Sequence, residues 1–102
     1  NISSIEVEKA IFAHPSVFEC AVVAAPDVKW GEIPVALVVL KEGEKLTQEE
    51  LTEFLSARIA KFKMPRAIEF TDKPLPKTGT GKIMKRAIRE AFWSGRERRV
   101  QG

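Results

Sequence analysis

Two apolar runs separated by a turn constrain the fold of this 102-residue chain more than any other feature. The runs Val17–Ala25 and Ile33–Leu40 are dense in valine and alanine, which is typical of strands covered on both faces. Between them, turn chemistry is supplied by Pro26, Asp27 and Gly31. The pattern therefore predicts an antiparallel hairpin with a loop of several residues.

Helical patterns frame this hairpin on both sides. On the N-terminal side, Ser3 can cap a helix while Glu6 reaches back to it in a capping box, and this helix should end near Ala13. On the C-terminal side, Thr47 and Glu50 form a second capping box ahead of an apolar stripe with helical spacing. The stripe, which predicts a second helix ending near residue 62, consists of Leu51, Phe54, Leu55, Ile59 and Phe62.

The last third of the chain predicts one more strand and one more helix. Pro65 ends the second helix, and the short apolar run Ala67–Phe70 is bounded by turn residues, as a third strand should be. Apolar residues then recur with helical spacing over residues 83–92, until Ser94 and Gly95 end the helix. We therefore predict an α+β fold in the order α-β-β-α-β-α, with about three helices packed on a small three-stranded sheet.

Charge is distributed unevenly along the chain. Residues 1–72 carry eight Lys/Arg against twelve Asp/Glu, net −4, whereas residues 73–102 carry nine against two, net +7. A basic segment can bind nucleic acid or a membrane surface, or it can form a solvated helix face that attracts an anionic substrate. The segment has few aromatics and no recognised nucleic-acid motif, so we favour the helix face. We predict a domain over residues 1–93 and a frayed basic tail over residues 94–102.

A glycine-flanked lysine lies between the third strand and the last helix. The segment 76–85 reads PKTGTGKIMK, and its glycines give the backbone access to positive φ and let it approach a ligand closely. Nucleotide-binding P-loops require a glycine where Pro76 stands and a Ser or Thr where Ile83 stands, so the P-loop hypothesis is set aside. Spacing alone favours an ordinary turn with Lys82 as a solvated charge.

Three conspicuous side chains are assigned from their neighbours in the sequence. Cys20 lies in an apolar run, which favours a small buried thiol over a nucleophile, and a single cysteine cannot form an internal disulfide. His14 lacks a nearby Ser, Cys or metal-spaced partner, so we expect a structural or surface role. Trp30, at the hairpin tip, either folds back over the hairpin or contacts another domain or a substrate.

Four segments occur in an order that resembles the C-terminal domain of adenylate-forming (AMP-binding) enzymes, a superfamily of acyl-CoA synthetases, luciferases and peptide-synthetase adenylation domains. They are residues 1–8 (NISSIEVE), 25–34 (APDVKWGEIP), 63–66 (KMPR) and 76–85 (PKTGTGKIMK). The first resembles the segment just past the family's interdomain hinge, and the last resembles its lysine motif. The chain is most similar to the small domain of fatty-acid and related acyl-CoA ligases, which implies a larger parent chain.

The resemblance implies both a reaction and site residues. Such enzymes activate a carboxylic acid, here expected to be a fatty acid, with ATP to an acyl-adenylate, and then transfer the acyl group to coenzyme A. Lys82 matches the family's catalytic lysine, and its loop neighbours Thr78, Gly79, Thr80 and Gly81 match the segment that meets substrate and nucleotide.

The resemblance also implies domain motion and partners. After adenylation the small domain rotates and offers another face to the thiol; Asn1 and Ile2 match the start of that face. ATP, coenzyme A and Mg²⁺ are expected in the full-length enzyme and none on this domain alone. The expected partners are the large N-terminal adenylation domain and the acid substrate, without nucleic acid. The isolated domain should be inactive.

No apolar run approaches the ~18 residues of a membrane span, and we assign the enzyme to the cytoplasm. Two alternatives remain open for the chain. It could be a non-catalytic binding or assembly module that keeps the fold without using Lys82. It could also be a basic docking module whose last helix binds an anionic partner.

Overall fold

The computed structural model describes residues 2–101, and their side chains from Ser4 to Ser94. The elements are α1 (Ile2–Phe12), β1 (Val17–Asp27), β2 (Gly31–Leu40), α2 (Gln48–Ser56), a 3-10 turn (Lys61–Lys63), β3 (Ala67–Thr71) and α3 (Lys85–Gln101). This order confirms the predicted α+β fold with three strands and three α-helices. No helix within residues 2–101 is long and apolar enough to cross a membrane.

The antiparallel hairpin of β1 and β2 is confirmed, with Asp27 opposite Gly31 across a loop of residues 28–30. Gly31 adopts a φ of +83°, a conformation that favours glycine and permits the tight reversal. Most of the run from Val17 to Ala25 is buried, as expected for a strand covered on both faces. Phe18 is the exception, because a register shift between Val17 and Glu19 makes it the extra residue of a β-bulge, and its side chain is 56% exposed.

The third strand pairs in parallel with β2, with Val35 opposite Ala67, so the sheet order is β1-β2-β3. Parallel neighbours need a crossover connection, which α2 provides. The capping box that starts α2 is confirmed: the Glu50 N–H donates to Thr47 Oγ1 at 3.0 Å, and the Thr47 N–H donates to Glu50 Oε1 at 2.9 Å. Two donors that would otherwise lack a partner are thereby satisfied.

The predicted end of α2 near Phe62 is wrong, because α2 ends at Ser56 and a 3-10 turn follows. Ala60 is already extended, with φ −65° and ψ 148°, and Pro65 disfavours a helical Met64. Because the chain is no longer α-helical at Phe62, this residue does not lie on the face of α2 that packs on the sheet, and it is 85% exposed. In the earlier part of the stripe, Leu51, Leu55 and Ile59 are buried as predicted and Phe54 is partly buried.

Two apolar layers lie on opposite faces of the sheet. The larger one joins α1 and α2 to the sheet, and its fully buried large members are Ile11, Val38, Leu51 and Leu55. The smaller one, beneath α3, consists of Ala21, Val23, Val39, Leu75 and Ile88. Burial of each large aliphatic side chain contributes about 1.5–3 kcal/mol, so the larger layer supplies most of the stability. The smaller layer holds Leu75, which directly precedes the segment around Lys82.

The predicted N-terminal cap of α1 is also wrong. This helix begins at Ile2, so Ser3 lies inside it and is not its N-cap. Glu6 does not turn back to the helix start, because its carboxylate is paired with Lys63 at 2.8 Å.

Both predicted boundaries of α3 differ from the structure. Ile83 and Met84 precede the helix, because Ile83 is held in an antiparallel bridge with Lys77. At the other end α3 continues through Gly95 to Gln101. One glycine inside a helix costs about 1 kcal/mol relative to alanine, and the arginines that follow are good helix formers. The division into a domain (1–93) and a tail (94–102) stays a prediction.

Candidate functional site

The segment around Lys82 forms a closed hairpin that we call the lysine loop, residues 76–84. Its two arms are bridged at Lys77 and Ile83. Backbone hydrogen bonds run from Thr78 N–H to Lys82 O and from Met84 N–H to Pro76 O, both at 2.8 Å. The loop is therefore a small hydrogen-bonded unit with its own geometry.

The tip of the lysine loop contains the four residues predicted to meet substrate and nucleotide. Gly81 has a φ of +89°, and its N–H donates to Thr78 O at 2.9 Å, which closes the turn. The Thr78 hydroxyl accepts from Lys82 N–H at 3.3 Å and lies 3.0 Å from the Thr80 hydroxyl. Gly79 and Thr80 are exposed with the rest of the tip. The structure thus brings these residues together beside Lys82, and it shows that Thr78 and Gly81 shape the turn.

Lys82 is exposed, and its side chain has no hydrogen-bond or ion-pair partner among residues 4–94. No carboxylate of the described residues lies within ion-pair distance of its ammonium group. Its backbone, in contrast, is held by the hydrogen bonds of the hairpin. Lys82 therefore has an exposed side chain without a partner among residues 4–94 and a backbone held in place by hydrogen bonds.

The base of the lysine loop is anchored to β1 by Glu19, a residue that sequence reasoning did not single out. Glu19 is buried, with its Oε1 2.9 Å and its Oε2 3.0 Å from Lys77 Nζ. Glu19 Oε2 also accepts the Leu75 N–H at 2.7 Å, and Lys77 Nζ donates to Leu75 O at 2.9 Å. Glu19 could have been noticed in the sequence as a charged residue inside an otherwise apolar strand. The sequence pattern does not indicate which residue is its partner.

The protonation of Glu19 follows from these contacts. Burial by itself acts to raise the pKa of the carboxyl group, but the hydrogen bonds from Lys77 and the Leu75 N–H, with the charge of Lys77, outweigh it. The pKa of Glu19 therefore lies below its ordinary value. Glu19 is an anion at neutral pH.

A second ion pair holds the start of α3, where the loop ends. Lys85 Nζ lies 2.6 Å from Glu8 Oε2 and 3.4 Å from Ser4 Oγ, both on α1. The same Glu8 oxygen accepts the Val22 N–H of β1 at 2.8 Å. Glu8 thus ties together α1, β1 and the first turn of α3. Sequence reasoning missed it because Glu8 resembles any other polar helix residue.

Cys20 and His14 occupy the structural positions predicted for them. Cys20 is 7% exposed; burial, and after it the charge of Glu8, raise the pKa of its thiol to about 12. A thiol in this state is not a nucleophile at neutral pH. The His14 ring accepts the Ser16 N–H at 3.1 Å and contacts the Phe54 ring edge to face at 4.7 Å between centroids.

Trp30 is 58% exposed at the hairpin tip. Asp27 accepts the Lys29 and Trp30 N–H groups at 3.0 and 2.8 Å and thereby orders the turn. The cations of Lys29 and Arg66 lie 5.2 and 5.4 Å from the indole centroid. A contact of Trp30 with another domain or a substrate stays a prediction. Asn1 and the side chain of Ile2, the predicted thiol-side residues, lie outside the described residues.

Next to α3, a groove of about 580 Å³ is lined by residues of the β1–β2 hairpin, among them Glu32, and by Ser4 and the cations Lys85, Arg86 and Arg89. Two of these cations are already paired, since Lys85 contacts Glu8 and Arg89 lies 3.3 Å from Glu32. Within the described residues no group of three His, Cys, Asp or Glu could hold a metal ion.

Comparison with known proteins agrees with this geometry. A family model described as the AMP-binding enzyme C-terminal domain matches residues 6–82. The probable CoA ligase CCL11 of Humulus lupulus is 49% identical over 92 residues, which cover 88% of this chain and 16% of that protein. The chain therefore spans about a sixth of that relative's length.

Solved structures give the same result. A fatty acyl CoA synthetase of Mycobacterium tuberculosis superposes with a TM-score of 0.79 at 36% identity, over 90% of this chain and 18% of that one. The anthranilate CoA ligase AuaEII, solved with anthranoyl-AMP, superposes with a TM-score of 0.82 at 35% identity, over 92% of this chain and 19% of that one. Because the family model covers most of the chain, the chain belongs to the AMP-binding enzyme C-terminal domain family.

Proposed function

We propose that this domain supplies Lys82 to the adenylation step of an AMP-forming acid–CoA ligase. The observation that carries the proposal is the exposed ammonium of Lys82, unpaired among residues 4–94, at the tip of a hydrogen-bonded loop. In the adenylation step, an acid carboxylate attacks the α-phosphate of ATP and pyrophosphate leaves. Both reactants are anions, and negative charge crowds around the reacting atoms.

A cation delivered to that position can act in two ways. It can hold the carboxylate and the α-phosphate in line, and it can stabilise the charge that develops between them. An ammonium already paired with a carboxylate would first have to lose its partner, whereas that of Lys82 does not. Thr78, Gly79, Thr80 and Gly81 would meet the nucleotide and substrate beside it, while Thr78 and Gly81 also keep the turn closed.

The second half of the proposed reaction belongs to another arrangement of the same two domains. The partner of this domain is the large N-terminal adenylation domain, which holds ATP and the acid. After adenylation the small domain rotates, withdraws Lys82 and presents the face that begins at Asn1 and Ile2, so that coenzyme A receives the acyl group. Mg²⁺ would be bound together with ATP in the large domain.

For the acid, we propose a fatty acid as the first candidate, in keeping with the fatty acyl CoA synthetase among the similar structures. The anthranilate CoA ligase, an enzyme named for an aromatic acid, is equally similar in fold. The acid is therefore best identified by measuring acid-dependent pyrophosphate release by the full-length enzyme across short, medium, long-chain and aromatic acids.

The test of the lysine is Lys82→Ala in the full-length enzyme. We expect acid-dependent pyrophosphate release to fall about 10²–10³-fold, the cost of removing one preorganised donor to a developing anion. Thioester formation from a supplied acyl-adenylate should largely survive. Lys45→Ala, which removes an exposed lysine far from the loop in sequence, is the matched control and should leave both steps unchanged. An equal loss in both half-reactions would refute the assigned role.

A further inference from the structure

One buried side chain of the sheet makes polar contacts with the base of the lysine loop. Glu19 extends from β1 and contacts Lys77 with both carboxylate oxygens, while one of these oxygens also accepts the Leu75 N–H. Lys77 is in turn the residue that bridges the two arms of the hairpin through Ile83. The location of the loop relative to the sheet therefore depends in part on Glu19, beside the packing of Ile83 against the smaller apolar layer.

The internal hydrogen bonds of the loop cannot replace this anchor. They close the hairpin on itself, from Thr78 to Lys82 and from Met84 to Pro76, and none of them reaches the sheet. Without the carboxylate the hairpin can keep its shape while its base shifts. A shift at the base moves the tip, because the arms between Lys77 and Lys82 are hydrogen-bonded into one unit.

The environment of Glu19 suits it to fix a position. Its side chain is 8% exposed and that of Lys77 is 33% exposed, so solvent screens the pair only in part. The two contacts with one ammonium restrict direction as well as distance. The pair Glu6–Lys63 offers a contrast: it is similarly short at 2.8 Å, but it is more exposed and joins α1 to the 3-10 turn.

We propose that Glu19 is a positioning residue for Lys82: through Lys77 and the Leu75 amide it sets where the hairpin tip lies relative to the sheet. This inference rests on the proposed function, since it assigns Glu19 a part in adenylation. Glu19 itself touches no reactant. Its effect on the reaction is entirely through the placement of the Lys82 ammonium.

The experiment compares Glu19→Gln, Lys77→Met, Lys77→Arg and the control Glu6→Gln in the full-length enzyme. Glu19→Gln and Lys77→Met should lower the rate of acid-dependent pyrophosphate release by roughly 10- to 10²-fold, the scale of a ~1 Å misplacement. Thioester formation from supplied acyl-adenylate should be retained. Lys77→Arg, which keeps the charge, should recover much of the adenylation rate, and Glu6→Gln should behave as wild type.

A local measurement separates positioning from loss of stability. Hydrogen exchange at the Thr78, Gly81 and Met84 amides reports the closed hairpin, and exchange at the Leu75 amide reports the anchor. In Glu19→Gln the Leu75 amide should exchange faster while the amides of α2 keep their protection. If Glu19→Gln does not fold, Lys77→Met provides the same test. This variant removes the other partner of the anchor and leaves the Glu19 carboxyl group in place, where it can be accommodated in its protonated form.

Several outcomes would overturn the inference. Wild-type adenylation in folded Glu19→Gln and Lys77→Met would show that the anchor does not matter to the reaction. Equal losses in both half-reactions, in step with a lower thermal unfolding temperature, would show a purely structural role. Lys82→Ala is measured alongside: if it retains adenylation, the proposed function fails; if it collapses while Glu19→Gln is normal, only the positioning role fails.

Discussion

Lys77 and Lys82 lie on the two arms of one small hairpin, but their ammonium groups are in opposite environments. The Lys77 ammonium is held by a buried carboxylate and a backbone carbonyl, whereas that of Lys82 has no partner among residues 4–94. Their backbones are equally well ordered by the same short ladder of hydrogen bonds. In one lysine-rich motif, the ammonium at the base thus anchors the hairpin, and the ammonium at the tip is left exposed.

From this comparison we expect Lys77 and Lys82 to differ in their effects on the stability of the domain. A side chain that anchors should matter to folding, and a side chain that presents a free charge should not. The following predictions concern the free energy of unfolding of the 102-residue chain, measured by urea denaturation, and they run from the largest expected effect to the smallest.

The largest loss is expected for Lys77→Met. This change leaves the buried Glu19 carboxylate without its cation. Because the Lys77 side chain is 33% exposed, we expect a cost of about 2 kcal/mol, between that of an exposed pair and that of a fully buried one. Glu6→Gln, in the more exposed pair, is the control and should cost less than about 1 kcal/mol. If Lys77→Met cost no more than Glu6→Gln, the anchor would be no stronger than an ordinary surface contact.

The second prediction concerns how the stabilising contribution of Glu19, at the base of the loop, depends on pH. Because the pKa of Glu19 is lowered on folding, its stabilising contribution is complete above the ordinary pKa of 4.5 and is lost as pH falls through the lower folded value. In that window stability should fall by up to about 1.4 kcal/mol per pH unit from this group. In Lys77→Met this contribution should disappear. Urea midpoints from neutral pH down to about pH 3 measure both slopes.

The third prediction concerns the turn between the two lysines. Gly81→Ala should cost about 1–2 kcal/mol, since a Cβ is disfavoured at a φ of +89°. Open space surrounds the position, so no clash contributes. Gly79→Ala is the matched control, because Gly79 has equal space and no positive φ, and it should be nearly neutral. Equal costs at both glycines would show that the turn geometry is not as described.

A smaller loss is expected for Thr78→Val. Its hydroxyl accepts the Lys82 N–H and contacts the Thr80 hydroxyl at an exposed site, so we expect about 0.5–1 kcal/mol. Thr80→Val removes the hydroxyl contact alone and should cost less. If Thr80→Val lowered the free energy of unfolding more than Thr78→Val, the Thr80 hydroxyl would be the one that stabilises the turn.

The smallest loss is expected for Lys82→Met, within about 0.5 kcal/mol of wild type, because the side chain has no partner among the described residues to lose. The same position is proposed to have the largest effect on adenylation. A stability loss comparable to that of Lys77→Met would remove the distinction between the two lysines.

Local patterns predicted the parts of the fold that are held by local contacts. The hairpin and the Thr47–Glu50 cap depend on residues close together in the sequence, and both are confirmed. The helical stripe failed at Phe62, because the chain leaves the helix before that residue is reached. The parallel pairing of β3 with β2 was not predicted either, since it depends on how the α2 crossover packs.

The site divides in the same way. Sequence resemblance identified Lys82 and its loop, and the structure brings those residues together at an exposed tip. The anchor was missed because Glu19 and Lys77 are 58 positions apart, and no spacing rule links them. A charged residue in a buried strand requires a partner, so Glu19 could have been noticed in the sequence. Only the folded structure shows that the partner is Lys77.

The contact between Glu8 and Val22 has a consequence for assembly. β1 is an edge strand, and an edge strand with free amides can recruit a strand from another molecule. Here the Val22 amide is already taken by the Glu8 carboxylate, and the bulge at Phe18 distorts the same strand near its start. A foreign strand would have to displace an ion-paired carboxylate to add there. Strand addition at Val22 is thereby disfavoured.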